Sequence, residues 1–185
     1  MISREYRAML AESHEKNPNW GTSARKHGPI VEKLIDHNEI KSILDYGCGK
    51  GELFKSISPK VMLSITTCEY DPAIPGKEYI RYPKFDMVCC LDVLEHIEPE
   101  HLQDVLDDLA SHTGKLGYFV ISCRKAKHIL PDGRNAHLIV KPPKWWDEVI
   151  KAHFPKYVVS VNHARKEAIY LVAGKDFKGE FPDLP

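Results

Sequence analysis

The chain of 185 residues contains 26 basic and 26 acidic residues, so its formal net charge at pH 7 is zero. This length fits one domain with a single sizeable core, and the balanced charge gives no global field that collects nucleic acid or an anionic membrane surface. No segment approaches the ~20 apolar residues of a membrane-spanning helix, and residues 1–20 lack the apolar run of a signal peptide. We therefore expect a cytoplasmic protein with no membrane partner.

Cysteine and histidine usage predicts neither disulfides nor a metal site. The number of cysteines is odd and no pair has C-x-x-C spacing, which favours free, mostly buried thiols in a reducing compartment. The chain has 10 histidines, but no H-x-x-E-H or Cys/His ligand spacing accompanies them. All of the cysteines fall in or beside predicted strands: Cys48, Cys68, Cys89, Cys90 and Cys123.

The first part of the chain is polar. Over residues 1–28 we predict a short helix followed by a loop that contains Trp20. Ile30, Val31 and Leu34 then recur at helical spacing and predict a helix that leads into the first strand.

A glycine-rich turn follows the apolar run Ile43-Leu44. Asp45 ends the run, glycines stand at 47, 49 and 51, and a helical pattern begins at Glu52. This order predicts the first strand and turn of a Rossmann-like unit, in which the ligand lies beyond the carboxyl end of the strand. The dinucleotide fingerprint is G-x-G-x-x-G, whereas the spacing here is G-x-G-x-G. Asp45 would repel a pyrophosphate and attract a cation such as an α-ammonium group, which disfavours a nicotinamide-dependent oxidoreductase.

The segment Asp45-Tyr46-Gly47-Cys48-Gly49-Lys50-Gly51 resembles the first motif of the class I S-adenosylmethionine-dependent methyltransferases, D/E-x-G-x-G-x-G. The resemblance implies S-adenosyl-L-methionine as the cofactor. It also implies that the Asp45 carboxylate, directly or through water, holds the methionine end of the cofactor together with the loop. The loop residues concerned are Tyr46, Gly47, Cys48, Gly49 and Gly51.

The next predicted strand, Val61 to Cys68, ends in Glu69-Tyr70-Asp71-Pro72. An acid about 20 residues beyond the glycine turn, at the end of the second strand, is placed to accept hydrogen bonds from a ribose diol. Glu69 and Asp71 both qualify. The resemblance favours Glu69, with Tyr70 near the adenine and Asp71 serving the turn. Residues 72–84 are too few for the family's usual third strand and helix, which leaves the adenine contacts open.

Phe85 to Leu91 is the nearly continuous apolar run of a buried parallel strand, and Asp92-Val93-Leu94-Glu95-His96 follows it. The whole segment resembles the family's fourth motif, F-D-x-V…D-V-L-E-H. The resemblance implies that Leu91 and Asp92 line the cofactor or substrate pocket. His96 is the candidate general base, because its pKa suits neutral pH; the alternative is a structural histidine beneath the site. His128 and His137 rank below it.

Leu116 to Ser122 and two C-terminal runs, Tyr157 to Val161 and Ala168 to Val172, complete the predicted strands. We expect an α/β fold: a Rossmann-like, seven-stranded, mostly parallel sheet with a C-terminal antiparallel strand pair and helices on both faces. The resemblance implies a lid or arm over residues 1–29 and a methyltransferase-like domain over 30–174. A C-terminal tail would occupy 175–185.

The acceptor is the open question. The N-P-P-Y sequence of amino-DNA methyltransferases and the Pro-Cys pair of cytosine-C5 enzymes are both absent, which favours transfer to an O or N atom of a small molecule. The loop 124–144 is strongly basic and precedes Trp145-Trp146, so it suggests a phosphate-bearing or nucleotide-like acceptor. The alternatives are a nucleic-acid-modifying methyltransferase that uses this loop with Trp145 and Trp146, and a non-catalytic cofactor-binding module. A purely structural alternative for the loop 124–144 and Trp145-Trp146 is a solvated basic loop followed by two tryptophans of the core. The oligomeric state stays open.

Overall fold

The computed structural model describes residues 2–182, so Met1 and residues 183–185 of the expected arm and tail lie outside the described part. The helices are α1 (Arg4–Lys16), α2 (Gly28–His37), α3 (Glu52–Lys55), α4 (Pro59–Met62), α5 (Leu102–His112) and α6 (Pro143–His153). The strands are β1 (Ser42–Tyr46), β2 (Thr66–Tyr70), β3 (Phe85–Leu91), β4 (Thr113–Ser122), β5 (Tyr157–Asn162) and β6 (Glu167–Ala173).

The strands form one sheet in the order β2-β1-β3-β4-β6-β5. The first four strands of this order pair in parallel, and β6 pairs antiparallel with both β4 and β5. Because parallel strands share their direction, the carboxyl ends of β1, β2, β3 and β4 meet at one edge. The mostly parallel sheet and its C-terminal antiparallel pair confirm the predicted fold class.

The predicted number of strands is wrong: residues 2–182 contain six strands rather than seven. The missing strand falls within residues 72–84, which form turns and bends between β2 and β3. These residues are too few to build a strand and its connecting helix. As a result β2 lies at an edge of the sheet.

Side chains alternate between the two faces of the sheet, and each face carries a core. Leu44 and Val88 pack on one face with residues of α5 and α6, whereas Ile43 and Met87 pack on the other with residues of α2 and α3. Burying a side chain of this size stabilises the fold by about 1.5–3 kcal/mol. Helices therefore cover both faces, as predicted.

The segment before α2 docks on the loop that follows β4. Tyr6 of α1 is fully buried and packs with Leu130 and Ala136 of that loop. Its hydroxyl donates a hydrogen bond of 2.6 Å to the carbonyl oxygen of His96, and the hydroxyl of Ser3 donates to Glu98 at 2.7 Å. The buried Tyr6 and the half-buried Ser3 thus hold α1 against the carboxyl edge of the sheet.

The five cysteines are free thiols, four of them buried and Cys123 half-buried. In the predicted tail, the rings of Phe177 and Phe181 stack at 4.9 Å, and both pack against one core. Within residues 2–182, no helix has the length and apolar character required to span a membrane.

Candidate active site

The glycine turn has a left-handed backbone conformation that residues other than glycine adopt only at a cost in free energy. Gly47, Gly49 and Gly51 all have positive φ, at 73°, 51° and 71°. The N–H groups of Gly47 and Cys48 donate to the carbonyl oxygen of Tyr70 at 2.7 and 3.0 Å, which ties the turn to the end of β2. A Cβ at Gly47 would lie 2.5 Å from the side chain of Val93. Glycine here provides both the left-handed conformation and the close packing.

Asp45 is buried behind this turn. Its residue is 1% exposed, and its Oδ2 atom has no hydrogen-bond partner among the described residues. Burial and, after it, the negative charge of the neighbouring Glu69 together raise the pKa of Asp45 to about 8. A buried carboxyl without a partner is costly unless a cation or donor reaches it. Asp45 is therefore the kind of group that a bound ammonium, or a water beside it, would satisfy.

A cavity of about 830 Å³ opens at the carboxyl edge of the sheet. It runs from the glycine turn to the loops after β3 and β4, and the segment before α2 forms part of its wall. Of the predicted site residues, those lining the cavity are Tyr46, Gly47, Gly49, Tyr70, Asp71, Asp92 and His96. Those that do not line it are Asp45, Cys48, Gly51, Glu69 and Leu91. The structure thus brings the two motifs to one cavity.

The two acids at the end of β2 have different surroundings. Glu69 forms an ion pair of 2.8 Å with Lys77 and lies beside Gly51, outside the cavity wall. Asp71 is buried and lines the cavity. Its carboxylate accepts from the N–H of Gly49 at 3.0 Å and from the N–H of Ala73 at 2.9 Å. The predicted turn chemistry of Asp71 is present, and the same side chain also braces the glycine turn.

Asp92 stands where β3 ends, in the left-handed region at a φ of 56°. This conformation is uncommon outside glycine, although Asp tolerates it better than most residues. The carboxylate of Asp92 lies 3.6 Å from the ammonium of Lys26, which in turn lies 3.3 Å from the carboxylate of Glu167. The cation is therefore held by two acids at the cavity wall.

His96 ends the short 3-10 turn Leu94–His96 that follows Asp92. Its Nδ1 contacts the carbonyl oxygen of Ala136 at 2.7 Å, and because a carbonyl only accepts, Nδ1 carries the proton. Burial and the nearby His137 lower the pKa of His96 to about 4. The imidazole is therefore neutral at physiological pH, with the lone pair on Nε2.

The N-terminal segment closes the cavity from above with an aromatic stack. The ring of Trp20 lies 4.5 Å from that of His14 and 4.9 Å from that of His128, centroid to centroid. The N–H of Lys50 donates to the carbonyl oxygen of Gly21 at 3.1 Å. The N-terminal segment, the glycine turn and the loop after β4 therefore meet around Trp20. In this position Trp20 can anchor the N-terminal segment to the rest of the domain.

Several lining residues were not identified from the sequence. His14, Ser122 and Glu167 line the cavity, but each comes from a segment that contains no motif. Only the packing of distant segments brings them together.

The basic loop is divided between two places. Arg124 and Lys127 line the cavity, whereas Trp145 lies in a separate hollow with Lys141. Trp146 is fully buried in the core. The proposal that Trp145 and Trp146 stack on bases is therefore wrong for Trp146, because its ring has no exposed face.

Comparison with known proteins places this geometry in a family. Residues 19–162 match the family model described as a methyltransferase domain. No curated protein sequence matches the chain.

Solved structures with the same fold share little sequence with the chain. The 1,6-didemethyltoxoflavin-N1-methyltransferase of Burkholderia thailandensis, solved with 1,6-didemethyltoxoflavin and S-adenosylhomocysteine, is 16% identical with a TM-score of 0.64, over 95% of this chain and 92% of that one. An S-adenosylmethionine-dependent methyltransferase of Clostridium acetobutylicum is 13% identical with a TM-score of 0.55, over 89% and 97% of the two chains.

Human N-acetylserotonin methyltransferase, solved with S-adenosylmethionine, is 12% identical with a TM-score of 0.53. The match covers 80% of this chain and 51% of the human one, so the chain spans about half the length of that protein. At these identities the solved structures show the fold, while the family model extends over most of the chain. The chain belongs to the class I S-adenosylmethionine-dependent methyltransferase family.

Proposed function

We propose that the protein is an S-adenosylmethionine-dependent methyltransferase that transfers a methyl group to an O or N atom of a small, anionic or nucleotide-like acceptor. The observation that carries the proposal is the cavity of about 830 Å³, which joins the glycine turn to Asp92 and His96. This volume lies in the range of small-molecule sites, about 300–1,000 Å³.

The residues at one end of the cavity fit the cofactor. Asp45 lies behind the glycine turn, with a buried carboxyl oxygen that has no hydrogen-bond partner among residues 2–182, and Gly47 and Gly49 of the turn line the cavity. Asp71 uses two of the roughly four acceptor sites that a carboxylate offers,, so it can still accept from a ribose hydroxyl. We therefore assign the ribose to Asp71 and the methionine end to Asp45 and the turn. When bound, the cofactor supplies an activated sulfonium methyl group.

The chain's own contribution to transfer is alignment, exclusion of water and removal of a proton. Holding an acceptor in line with a reactive group is worth several kcal/mol, and α1 with Trp20 shields the cavity from bulk water. Nε2 of His96 is an acceptor for a proton on an O–H or N–H group, although its low pKa makes it a weak base. Asp92, which is paired with Lys26, is the second candidate for a residue that contacts the acceptor.

Two basic side chains of the cavity wall support an anionic acceptor. Arg124 and Lys127 line the cavity, and in contrast to Lys26 neither forms an ion pair with an acid among residues 2–182. The burial of Trp146 argues against the nucleic-acid alternative, which depended on two stacking tryptophans.

Calorimetric titration with S-adenosylmethionine, S-adenosylhomocysteine and NAD in parallel tests the cofactor. We expect micromolar binding of the two adenosyl-sulfur ligands and none of NAD. Binding of NAD alone would overturn the assignment of the turn, and Asp45→Asn should abolish binding while the circular dichroism spectrum stays unchanged.

Acceptors are then tested by following S-adenosylhomocysteine release with phosphorylated and unphosphorylated small molecules. Transfer only to neutral acceptors would overturn the anionic part of the proposal. Arg124→Gln should raise KM for an anionic acceptor with little change in kcat. His96→Gln should spare cofactor binding and lower kcat. Cofactor binding with no turnover on any acceptor would favour a non-catalytic module.

A further inference from the structure

We propose that Glu95, His96 and His137 form a binding site for a divalent transition-metal ion in the wall of the cavity. One ligand atom from each of the three side chains lies within 4.8 Å of the other two. The two imidazole rings meet edge to face, with their centroids 4.7 Å apart. His96 and His137 both line the cavity.

Both histidines are held in a tautomer that leaves Nε2 free to bind a metal. Nδ1 of His96 contacts the carbonyl oxygen of Ala136 at 2.7 Å, and Nδ1 of His137 contacts that of Arg124 at 2.5 Å. Since carbonyl oxygens only accept, each Nδ1 carries the proton and each Nε2 keeps its lone pair. Metal-ligating histidines almost always donate their second ring nitrogen to such a group, which fixes the orientation of the ring.

Glu95 is oriented in the same way. The residue is fully buried, and its Oε1 accepts a hydrogen bond of 2.9 Å from the N–H of Ser122. Its Oε2 is buried and has no hydrogen-bond partner in the part of the chain that the structure describes. Burying an unpartnered carboxylate oxygen costs free energy, and a cation beside Oε2 would remove that cost.

The backbone around the site is also braced. The carbonyl oxygen of Glu95 accepts from the N–H of Ile139 at 3.0 Å, which fastens the loop carrying His137 to the segment carrying Glu95. Asn135 accepts from the N–H of His137 at 3.1 Å and from that of Ala126 at 2.9 Å. Hydrogen bonds on both the N-terminal and the C-terminal side of His137 therefore hold the loop in place without a metal.

The donor set indicates the class of metal. Two imidazole nitrogens and one carboxylate oxygen suit zinc, iron(II), cobalt or manganese, whereas calcium and magnesium prefer oxygen donors alone. Catalytic zinc sites use three such protein ligands and leave a position open. Since His96 and His137 line the cavity, the open position would face it. Asp92 also lines the cavity and is a further acid whose charge acts on both His96 and Glu95.

The site could not be found from local spacing. Glu95 and His96 are adjacent in the chain, but His137 comes from the loop after β4. No metal was predicted from the sequence for this reason, and the three-residue site replaces that prediction.

A metal in this wall would hold an oxygen of the acceptor and make its hydroxyl easier to deprotonate. This role rests on the proposed methyl transfer, whereas the metal site itself does not. It would also relieve His96 of acting as the base, because the ion occupies Nε2.

The test is calorimetric titration of the untagged, chelator-treated protein with Zn²⁺, followed by the visible absorption of a Co²⁺ complex. We expect one tight site per chain. His137→Ala and the isosteric Glu95→Gln should each weaken Zn²⁺ binding by at least about tenfold, while thermal unfolding without metal shows that both variants fold. His163→Ala, which removes an exposed histidine from the turn between β5 and β6, should bind as the native chain does.

Absence of Zn²⁺ binding, or equal binding by His137→Ala and the native chain, would overturn the site. A loss in His128→Ala as large as that in His137→Ala would overturn the proposed ligand set. Cofactor titration in chelator separates the two proposals. S-adenosylmethionine binding without Zn²⁺ binding removes only the metal site, and Zn²⁺ binding without cofactor binding removes only the proposed function.

Discussion

Gly21 and Gly49 meet backbone to backbone: a Cβ at Gly49 would lie 2.7 Å from the carbonyl oxygen of Gly21. The N-terminal segment therefore rests directly on the glycine turn, and no side chain fits between them. The neighbouring N–H of Lys50 donates to the same oxygen, so the contact is a fixed joint between the covering segment and the turn.

Gly49→Ala should separate the segment from the turn. The substitution combines a left-handed φ of 51° with the clash at Gly21, so we expect at least a tenfold loss of S-adenosylmethionine affinity. Left-handed backbone alone costs alanine about 1–2 kcal/mol. Gly133→Ala is the matched control, because its φ is 86° and a Cβ there would meet nothing within 4 Å. Equal losses of affinity in the two variants, measured by calorimetry, would contradict the joint.

Asp45 should make the ligand-free protein less stable as the pH rises. Its pKa is 3.8 ordinarily and about 8 in the folded chain, so between these values unfolding releases a proton. The free energy of unfolding then falls with pH, by up to about 1.4 kcal/mol per pH unit, and the contribution levels off outside that window. In urea unfolding between pH 5 and 8, the free energy of unfolding of Asp45→Asn should rise relative to that of the native chain as the pH increases. A difference that does not change with pH would mean that Asp45 does not titrate there.

Asp71 and Glu69 should differ in their effect on the cofactor. Asp71 lines the cavity and holds the N–H of Gly49, whereas Glu69 is engaged with Lys77. Losing a hydrogen bond to a charged group costs about 1.5–3 kcal/mol, so Asp71→Asn should weaken S-adenosylhomocysteine binding by roughly tenfold or more. Glu69→Gln should weaken it less. The reverse order would restore Glu69 as the ribose ligand.

Tyr6→Phe should weaken the attachment of α1 to the rest of the domain without altering the shape of the buried side chain. The variant removes the 2.6 Å hydrogen bond to the carbonyl oxygen of His96 at a buried position, which costs about 1 kcal/mol. For a chain of this size the melting temperature should fall by about 2–4 °C. Tyr79 is 82% exposed, so Tyr79→Phe should have the same melting temperature as the native chain. An unchanged melting temperature for Tyr6→Phe would show that the bond contributes nothing.

Sequence patterns predicted the fold where burial and periodicity agree. The run Phe85–Leu91 is buried on both sides and forms β3 with the predicted bounds. The second strand was placed too early, at Val61 to Cys68. Pro59 instead begins the short α4, and Leu63 is 90% exposed, so apolar composition there does not reflect burial. The strand itself runs from Thr66 to Tyr70.

The site was predictable only where its residues are contiguous in the chain. The glycine turn and Asp92 with His96 are local motifs, and the parallel sheet brings both to one edge. Glu167 and His14 reach the cavity through the packing of β6 and of α1, and no short-range pattern encodes such contacts. Local spacing likewise does not show that the turn after β2 leaves Asp71, and not Glu69, facing the cavity.

The position of Trp20 gives the protein an internal optical reporter. Of the three tryptophans, Trp146 is sealed in the core and Trp145 lies in a separate hollow, so only the emission of Trp20 reports directly on the cavity. Its indole lies between the imidazoles of His14 and His128, where a ligand that parts the three rings would alter its fluorescence. Stopped-flow fluorescence of the unlabelled protein, compared with Trp20→Phe, can therefore follow the arrival of ligands in the cavity.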